Sequence, residues 1–107
     1  MKGKIKNIRL EKFKIELRSD HWRSDVHPRY ENYVLADLYD SPQNRMKKNM
    51  YIDITKDVLE YYGGGRITQK RVDKINKLLH NVWINYRYDK DSNEAYLDGS
   101  LSDYITP

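Results

Sequence analysis

The segment that most constrains the fold is residues 68–83, which has the strongest periodicity in the chain. Its apolar side chains recur every three or four positions, the spacing that places them on one face of an α-helix. Lysines occupy much of the opposite face, and Thr68 has the side chain expected of a helix N-cap. We therefore predict one amphipathic helix over residues 68–83, with this inward face: Val72, Ile75, Leu79 and Val82, widened by Leu78 and Trp83.

A shorter helix is predicted just before it, over residues 55–62. Thr55 would cap its N-terminus, and Asp57 would lie near the positive end of the helix dipole. Three consecutive glycines at positions 63–65 separate the two helices, because each glycine costs about 1 kcal/mol in a helix interior. Gly63 is placed to end the first helix in the left-handed conformation.

Much of the remaining chain alternates apolar and polar residues, as strands do. We predict strands over residues 4–18, 33–39 and 50–54, a hairpin over 84–97 and a lightly docked tail. The alternation in the first strand slips at Glu11 and Lys12, which predicts a β-bulge there. The result is a single α+β domain over residues 1–107, a mostly antiparallel sheet packed by the long helix, with these side chains beneath it: Ile8, Phe13, Ile15, Val34, Leu38 and Ile52.

Composition and charge narrow the functional classes. The chain has no cysteine and no long apolar run, so neither a disulfide framework nor a membrane span is expected. Charges are too frequent near the N-terminus for a signal peptide, which favours a cytoplasmic location. The net charge is +4, but residues 1–18 hold seven basic and two acidic side chains, whereas residues 84–107 hold two and five. This asymmetry is compatible with a polyanionic partner.

The first functional hypothesis is a small nucleic-acid-binding module. The order short helix, glycine turn, long helix and hairpin resembles the second half of a winged helix-turn-helix. That resemblance implies that the second helix lies in the major groove while the hairpin touches the DNA backbone. The residues facing the groove would be Gln69, Lys70, Lys74 and Lys77, and the residues on phosphates would be Arg66 and Arg71.

The alternative hypothesis rests on the aperiodic segment 19–32, which contains Trp22, Arg23, Arg29 and Tyr30. Tryptophan, tyrosine and arginine dominate the energies of protein interfaces. The alternative is therefore a phage or mobile-element inhibitor or adaptor that acts on a host nucleic-acid enzyme through this loop. Burial of Trp22 as a satellite of the core is equally compatible with the pattern.

Catalysis is not expected. Asp20, His21, Asp25 and His27 are close in sequence but lack a recognised metal-ligand spacing, so no metal or cofactor is predicted. A small nuclease, using the acidic residues Asp37 and Asp53, is the least favoured hypothesis because no acidic residue and lysine have the expected spacing.

The chain also has ten tyrosines. Those in the predicted strands fall on alternate positions, which favours half-buried packing with the hydroxyl at the rim. An exposed row of tyrosines would instead form a platform for stacking bases or docking a protein.

Overall fold

A computed structural model gives the structure of residues 1–15, 29–40, 50–92 and 94–105, with Ile15, Arg29 and Asp40 described by their backbones alone. The elements in chain order are β1 (Lys2–Ile15), β2 (Arg29–Asp40), β3 (Met50–Asp53), α1 (Thr55–Tyr61), α2 (Gln69–Leu79), β4 (Val82–Asp89), β5 (Glu94–Leu97) and a 3₁₀ turn (Leu101–Asp103). Of these helices, neither α1 nor α2 has the length and hydrophobicity needed to cross a membrane.

The five strands close into a barrel in the order β1-β2-β3-β5-β4, with β4 hydrogen-bonded back to β1. Neighbouring strands are antiparallel except for β3 and β5, where Ile52 lies opposite Ala95 in a parallel pair. This order, with the helices in the connection between β3 and β4, is that of the OB fold, a five-stranded Greek-key barrel. The predicted sheet packed by one long helix is therefore wrong, because the sheet closes on itself.

Barrel closure depends on β1, which pairs with β2 along most of its length and with β4 through its first residues. The register with β2 shifts at Asn7, whose φ of 52° is left-handed. Such a bulge bends the strand, and here it leaves Ile8 facing the core at 5% exposure. The predicted bulge at Glu11 and Lys12 is wrong, since both residues pair regularly with β2.

Aliphatic side chains from all five strands and both helices fill the interior. Four of the predicted core residues are buried as expected: Ile8, Val34, Leu38 and Ile52. The side chain of Ile15 lies outside the described atoms. Phe13 was predicted to face the core and is 50% exposed. β1 has no register shift at Glu11 and Lys12, so its alternation continues from Ile8 and places Phe13 on the opposite face.

Helix α2 is shorter than predicted but has the predicted inward face. Val72, Ile75 and Leu79 are completely buried, and the hydroxyl of Thr68 accepts a hydrogen bond from the third helical N–H, as an N-cap does. The helix ends at Leu79 rather than at residue 83. Asn81 then adopts a left-handed φ of 69° and donates its N–H to β1 at 2.8 Å.

The residues after Asn81 were predicted to continue the helix and instead form β4. Val82 is half-buried there, and Trp83 is 43% exposed. Leu78, which stays in the helix, is also 38% exposed. The prediction failed because the spacing of these residues also fits a helix, while pairing with β1 gives their backbones ladder hydrogen bonds.

The first helix, α1, has the predicted C-terminus and a different N-terminus. The N–H groups of Gly63 and Gly64 donate to carbonyls of its last turn, and Gly63 has a left-handed φ of 72°, the pattern of a Schellman motif. Thr55 does not cap α1, because it is the first helical residue. Its hydroxyl instead accepts from the Val34 N–H at 2.9 Å and donates to Asp53, which ties α1 to β2 and β3.

Residues 98–105 fold firmly against the barrel, so the predicted lightly docked tail is wrong. Leu101 is 1% exposed and Ile105 is 9% exposed. The hydroxyl of Tyr104 donates to the Asp98 carbonyl at 2.7 Å and accepts from the Asn85 N–H at 3.2 Å. Apolar contacts and hydrogen bonds to β4 therefore fix this segment.

Adjacent leucines in α2 test the assignment of its faces. Leu79→Ala should lower the free energy of unfolding by about 2–5 kcal/mol, because it leaves a cavity in the core. Leu78→Ala, the matched control on the exposed side, should cost under about 1 kcal/mol. Urea denaturation measures both. Equal losses would mean that the helix packs in another orientation.

Candidate functional site

A row of lysines follows the outward side of β1 before its bulge. Lys2, Lys4 and Lys6 alternate with residues that point into the core. Lys4 pairs with Tyr39 on β2 and with Trp83 on β4, so an aromatic ring lies on each side of it. We refer to these five residues, three lysines and two aromatics, as the lysine–aromatic face.

The lysines of this face stack on the rings beside them. The Nζ atom of Lys4 lies 5.3 Å from the centroid of the Trp83 ring, and the Nζ atom of Lys6 lies 4.8 Å from that of Tyr39. Both rings remain partly open to solvent, at 43% for Trp83 and 36% for Tyr39. Cation–π contacts at exposed sites are worth about 0.5–1 kcal/mol, so a ligand can compete for either partner.

An acidic residue next to this face is already paired. Asp37 lies opposite Lys6 in the β1–β2 register, and its carboxylate accepts from Arg9 Nη1 at 3.0 Å and from Asn7 Nδ2 at 3.2 Å. Arg9 also binds Glu11 at 3.2 Å. The positive charge of Lys6 is therefore not neutralised by an ion pair among the described residues.

The C-terminal end of helix α2, which carries exposed lysines, is attached to the same part of β1. Lys70, Lys74 and Lys77 all face solvent, as predicted for a nucleic-acid-binding surface. Two hydrogen bonds attach the helix end to β1. The Ile8 N–H donates to the Asn76 side chain at 3.0 Å, and the Asn81 N–H donates to the Ile5 carbonyl at 2.8 Å. The acidic tail contacts α1.

Two of the remaining residues predicted to contact nucleic acid already have partners. Arg71 donates to the carbonyls of Gly64 at 2.7 Å and Arg66 at 3.3 Å, and its guanidinium lies 4.5 Å from the Tyr62 ring centroid. Arg71 therefore holds the turn between the helices, and its role on phosphate stays a prediction. Gln69 donates to Asp73 at 2.7 Å. Arg66 is exposed.

The winged-helix resemblance is not supported by the strand pairing. β4 and β5, the would-be wing, pair with each other and also with β1 and β3. Both strands are part of the barrel wall and do not form a projecting hairpin. The DNA docking that the resemblance implied, with a helix in the major groove and a wing on the backbone, therefore does not apply.

The predicted partner-binding loop is described only at its end. Tyr30 is 60% exposed on β2, and Arg29 is described by its backbone. Trp22 and Arg23 lie outside the described residues. The adaptor hypothesis based on this loop therefore stays a prediction.

A second surface lies across the outward sides of β1, β2, β3 and β5. It is an open groove of about 1100 Å³ that is bordered by the start of α1. Its aromatic side chains are strongly exposed, at 50% for Phe13, 62% for Tyr51 and 42% for Tyr96. The Tyr33 ring meets Phe13 edge-on, with 5.3 Å between ring centroids. We call this surface the aromatic groove.

The charged residues that line the aromatic groove are mostly acidic. Among the described residues, five carboxylates and three cations line it, a balance of −2: Glu11, Asp53, Asp57, Glu60 and Glu94 against Arg9, Lys56 and Arg87. The hydroxyl of Tyr96 donates to Glu94 at 2.6 Å, and this hydrogen bond raises the pKa of the tyrosine. Burial, followed by repulsion from Glu60, raises the pKa of Asp57 to about 6.

The groove and the two rings of the lysine–aromatic face were missed by the sequence analysis. Half-buried packing was the predicted role of the strand tyrosines, and the structure confirms it for Tyr33 and Tyr88, which are half-buried. It is wrong for Tyr86, which is completely buried, and for Tyr39, Tyr51 and Tyr96, which are exposed. The alternation was visible in the sequence, but tyrosine is amphipathic and fits either face of a strand.

The acidic residues of the nuclease hypothesis are each engaged. Asp37 binds Arg9, and Asp53 accepts from the Thr55 N–H at 2.9 Å. Among the described residues, no group of three or more histidine, aspartate or glutamate side chains is placed to hold a metal ion.

The fold and these surfaces define a class, a small OB-type barrel with one basic and one acidic aromatic surface. Within that class the comparisons identify no relative, since no family model, curated protein or solved structure matches the chain.

Asp57 provides a test of the groove's electrostatics. Because its folded-state pKa of about 6 is above the ordinary aspartate value of 3.8, its ionisation destabilises the fold as the pH rises through 6. Asp57→Asn should therefore stabilise the protein at pH 7.5 by about 1 kcal/mol, after discounting for solvent screening of this half-exposed group. The gain should disappear near pH 4, as measured by urea denaturation. A gain independent of pH would contradict the assigned cause.

Arg71 provides a test of structural against ligand-binding roles. Arg71→Ala should lower the free energy of unfolding by about 1 kcal/mol, because two charged hydrogen bonds and a ring contact are lost. Arg71→Lys should recover less than half of this loss, since an ammonium lacks the guanidinium fork. The neighbouring control Lys70→Ala should cost nothing measurable in the same denaturation assay. Unchanged stability in Arg71→Ala would restore its predicted role on phosphate.

Proposed function

We propose that this protein is a non-enzymatic nucleic-acid-binding protein that holds a single strand on the lysine–aromatic face. The observation that supports the proposal most directly is the interleaving of cations and rings, with Lys4 between Trp83 and Tyr39. Ammonium groups pair with phosphates, and exposed rings stack on unpaired bases. Neither interaction requires a particular base sequence, so the binding should have little sequence preference.

The exposed lysines of α2 extend the proposed binding surface. The end of the helix is hydrogen-bonded to β1 at Ile5 and Ile8, on either side of Lys6. Lys74 and Lys77 are exposed along the same helix. An oligonucleotide bound on the lysine–aromatic face can therefore gain further phosphate contacts from α2, whose lysines the sequence analysis also predicted to contact nucleic acid.

Charge favours this surface over the aromatic groove. OB barrels commonly bind oligonucleotides on the face formed by strands 2 and 3, which in this protein contributes to the aromatic groove. Five carboxylates against three cations line that groove, and Arg9, one of the cations, is engaged by two carboxylates. A polyanion placed there would meet net repulsion, whereas the lysine–aromatic face presents three lysines.

Salt dependence tests the proposal. Fluorescence anisotropy with labelled oligo-dT and oligo-U would be measured between about 50 and 200 mM salt. The double variant Lys4→Gln with Lys6→Gln should lower the slope of log affinity against log salt by about 1.4, since each lysine contributes about one phosphate contact and each contact adds about 0.7 for a single strand. Trp83→Ala should weaken binding of the unpaired strand by about 1–3 kcal/mol.

The matched control is the double variant Lys56→Gln with Lys90→Gln, which removes the same total charge. Lys56 lines the aromatic groove and Lys90 lies in the turn after β4, so the slope should hardly change. Equal losses of slope in the two double variants would indicate a diffuse charge effect and contradict the proposed surface. Binding that is absent or insensitive to salt would contradict the function itself.

A further inference from the structure

We propose that the aromatic groove binds an arginine-containing, cationic segment of a protein partner. This inference concerns a different surface from the nucleic-acid face and does not depend on it. It starts from the exposure of Phe13, Tyr51 and Tyr96, three large rings in one concave surface. Exposed aromatic groups gathered in this way are typical of interaction sites.

The charge of the groove identifies the kind of partner. The described lining residues carry a balance of −2, from five carboxylates against three cations. Glu60 at the α1 side and Glu94 on β5 place negative charge on two borders of the ring cluster. Arg9 is paired with Glu11, which also lines the groove, and with Asp37, so four carboxylates remain against two cations. A cationic ligand complements this surface, whereas a polyanion does not.

The combination of rings and carboxylates favours arginine over a simple cation. A guanidinium is planar and weakly hydrated, so it stacks on an aromatic face while its N–H groups bind a carboxylate. The protein makes such a stack itself where Arg71 lies 4.5 Å from the Tyr62 centroid. In the groove, Tyr51 offers an open ring, and Glu94 lies on the neighbouring β5 strand.

The openness of the groove favours a chain segment over a small molecule. Small-molecule pockets bury most of their ligand, whereas this groove of about 1100 Å³ is lined by rings such as Phe13 and Tyr51 that are at least half exposed. Tyr33 meets Phe13 edge-on, and its hydroxyl donates a hydrogen bond to Glu31. These contacts fix part of the groove surface in the absence of a ligand. A preorganised surface lowers the entropic cost of binding an extended peptide.

The experiment uses the intact protein and a short fluorescein-labelled peptide of repeating arginine, glycine and tyrosine. The comparison peptide has citrulline, the neutral isostere, in place of each arginine. Anisotropy should show binding of the arginine peptide and at least about tenfold weaker binding of the citrulline peptide. Tyr51→Ala should weaken the arginine peptide about three- to thirtyfold, and Tyr51→Phe, which keeps the ring, should retain binding.

The charge of the groove is tested with Glu60→Gln, which should weaken binding of the arginine peptide about two- to fivefold. The matched control is Asp73→Asn, which removes one charge from the exposed side of α2 and should not weaken peptide binding. Trp83→Ala should leave peptide binding unchanged. A thermal melt of each variant excludes unfolding as the cause of a loss.

Several outcomes would overturn the proposal. They are no binding of the arginine peptide, equal binding of the citrulline peptide, or a loss in Trp83→Ala with none in Tyr51→Ala. A Tyr51→Ala variant that loses oligonucleotide binding instead of peptide binding would assign the groove to nucleic acid. Because the oligonucleotide and peptide assays use different surface variants, failure of this inference and failure of the proposed function can be told apart.

Discussion

The pairing of both edges of β1 is the interaction on which the rest of the structure depends. β1 gives one edge to β2 and, through its first residues, the other edge to β4, which closes the five-stranded order. The bend that permits this occurs at Asn7, where a left-handed φ costs asparagine less than most residues. Ile5 and Ile8, on the two sides of the bend, then point into one enclosed core. Their backbones also form hydrogen bonds, Ile8 with Asn76 of α2 and Ile5 with Asn81 in the connection after it.

Local periodicity was enough to predict most elements but not the closure of the sheet. The inward face of α2 was predictable because Val72, Ile75 and Leu79 repeat at helical spacing. The end of that helix was not, because Val82 and Trp83 continue the same spacing while pairing with a strand distant in sequence. Closure is a long-range property of strand pairing, and a pattern within one segment carries no information about its partners.

The binding surfaces were predictable to different degrees for the same reason. An amphipathic helix that buries one face must expose the other, so the exposure of Lys74 followed directly from the pattern. A strand tyrosine has no such certainty, since tyrosine is amphipathic and fits either face of a strand: Tyr86 is buried and Tyr51 is exposed. For Phe13 the decisive fact was the position of the bulge. A shift at Asn7, with none at residues 11–12, leaves the later part of β1 in one unbroken alternation, in which Ile8 and Phe13 face opposite ways.

The bulge in β1 also explains how one strand serves two surfaces of opposite charge. Before it, Lys4 lies between rings of β2 and β4, and Lys6 stacks on the β2 ring. After it, Glu11 and Phe13 border the groove with β3 and β5. Arg9 lies at the junction and binds Glu11 on one side and Asp37 on the other. Each of these half-exposed ion pairs contributes little stability. Their effect is to pair the carboxylate of Asp37, which lies opposite Lys6, so that this carboxylate does not neutralise the lysine. Two oppositely charged ligands could then be held on one small barrel without competing for the same side chains.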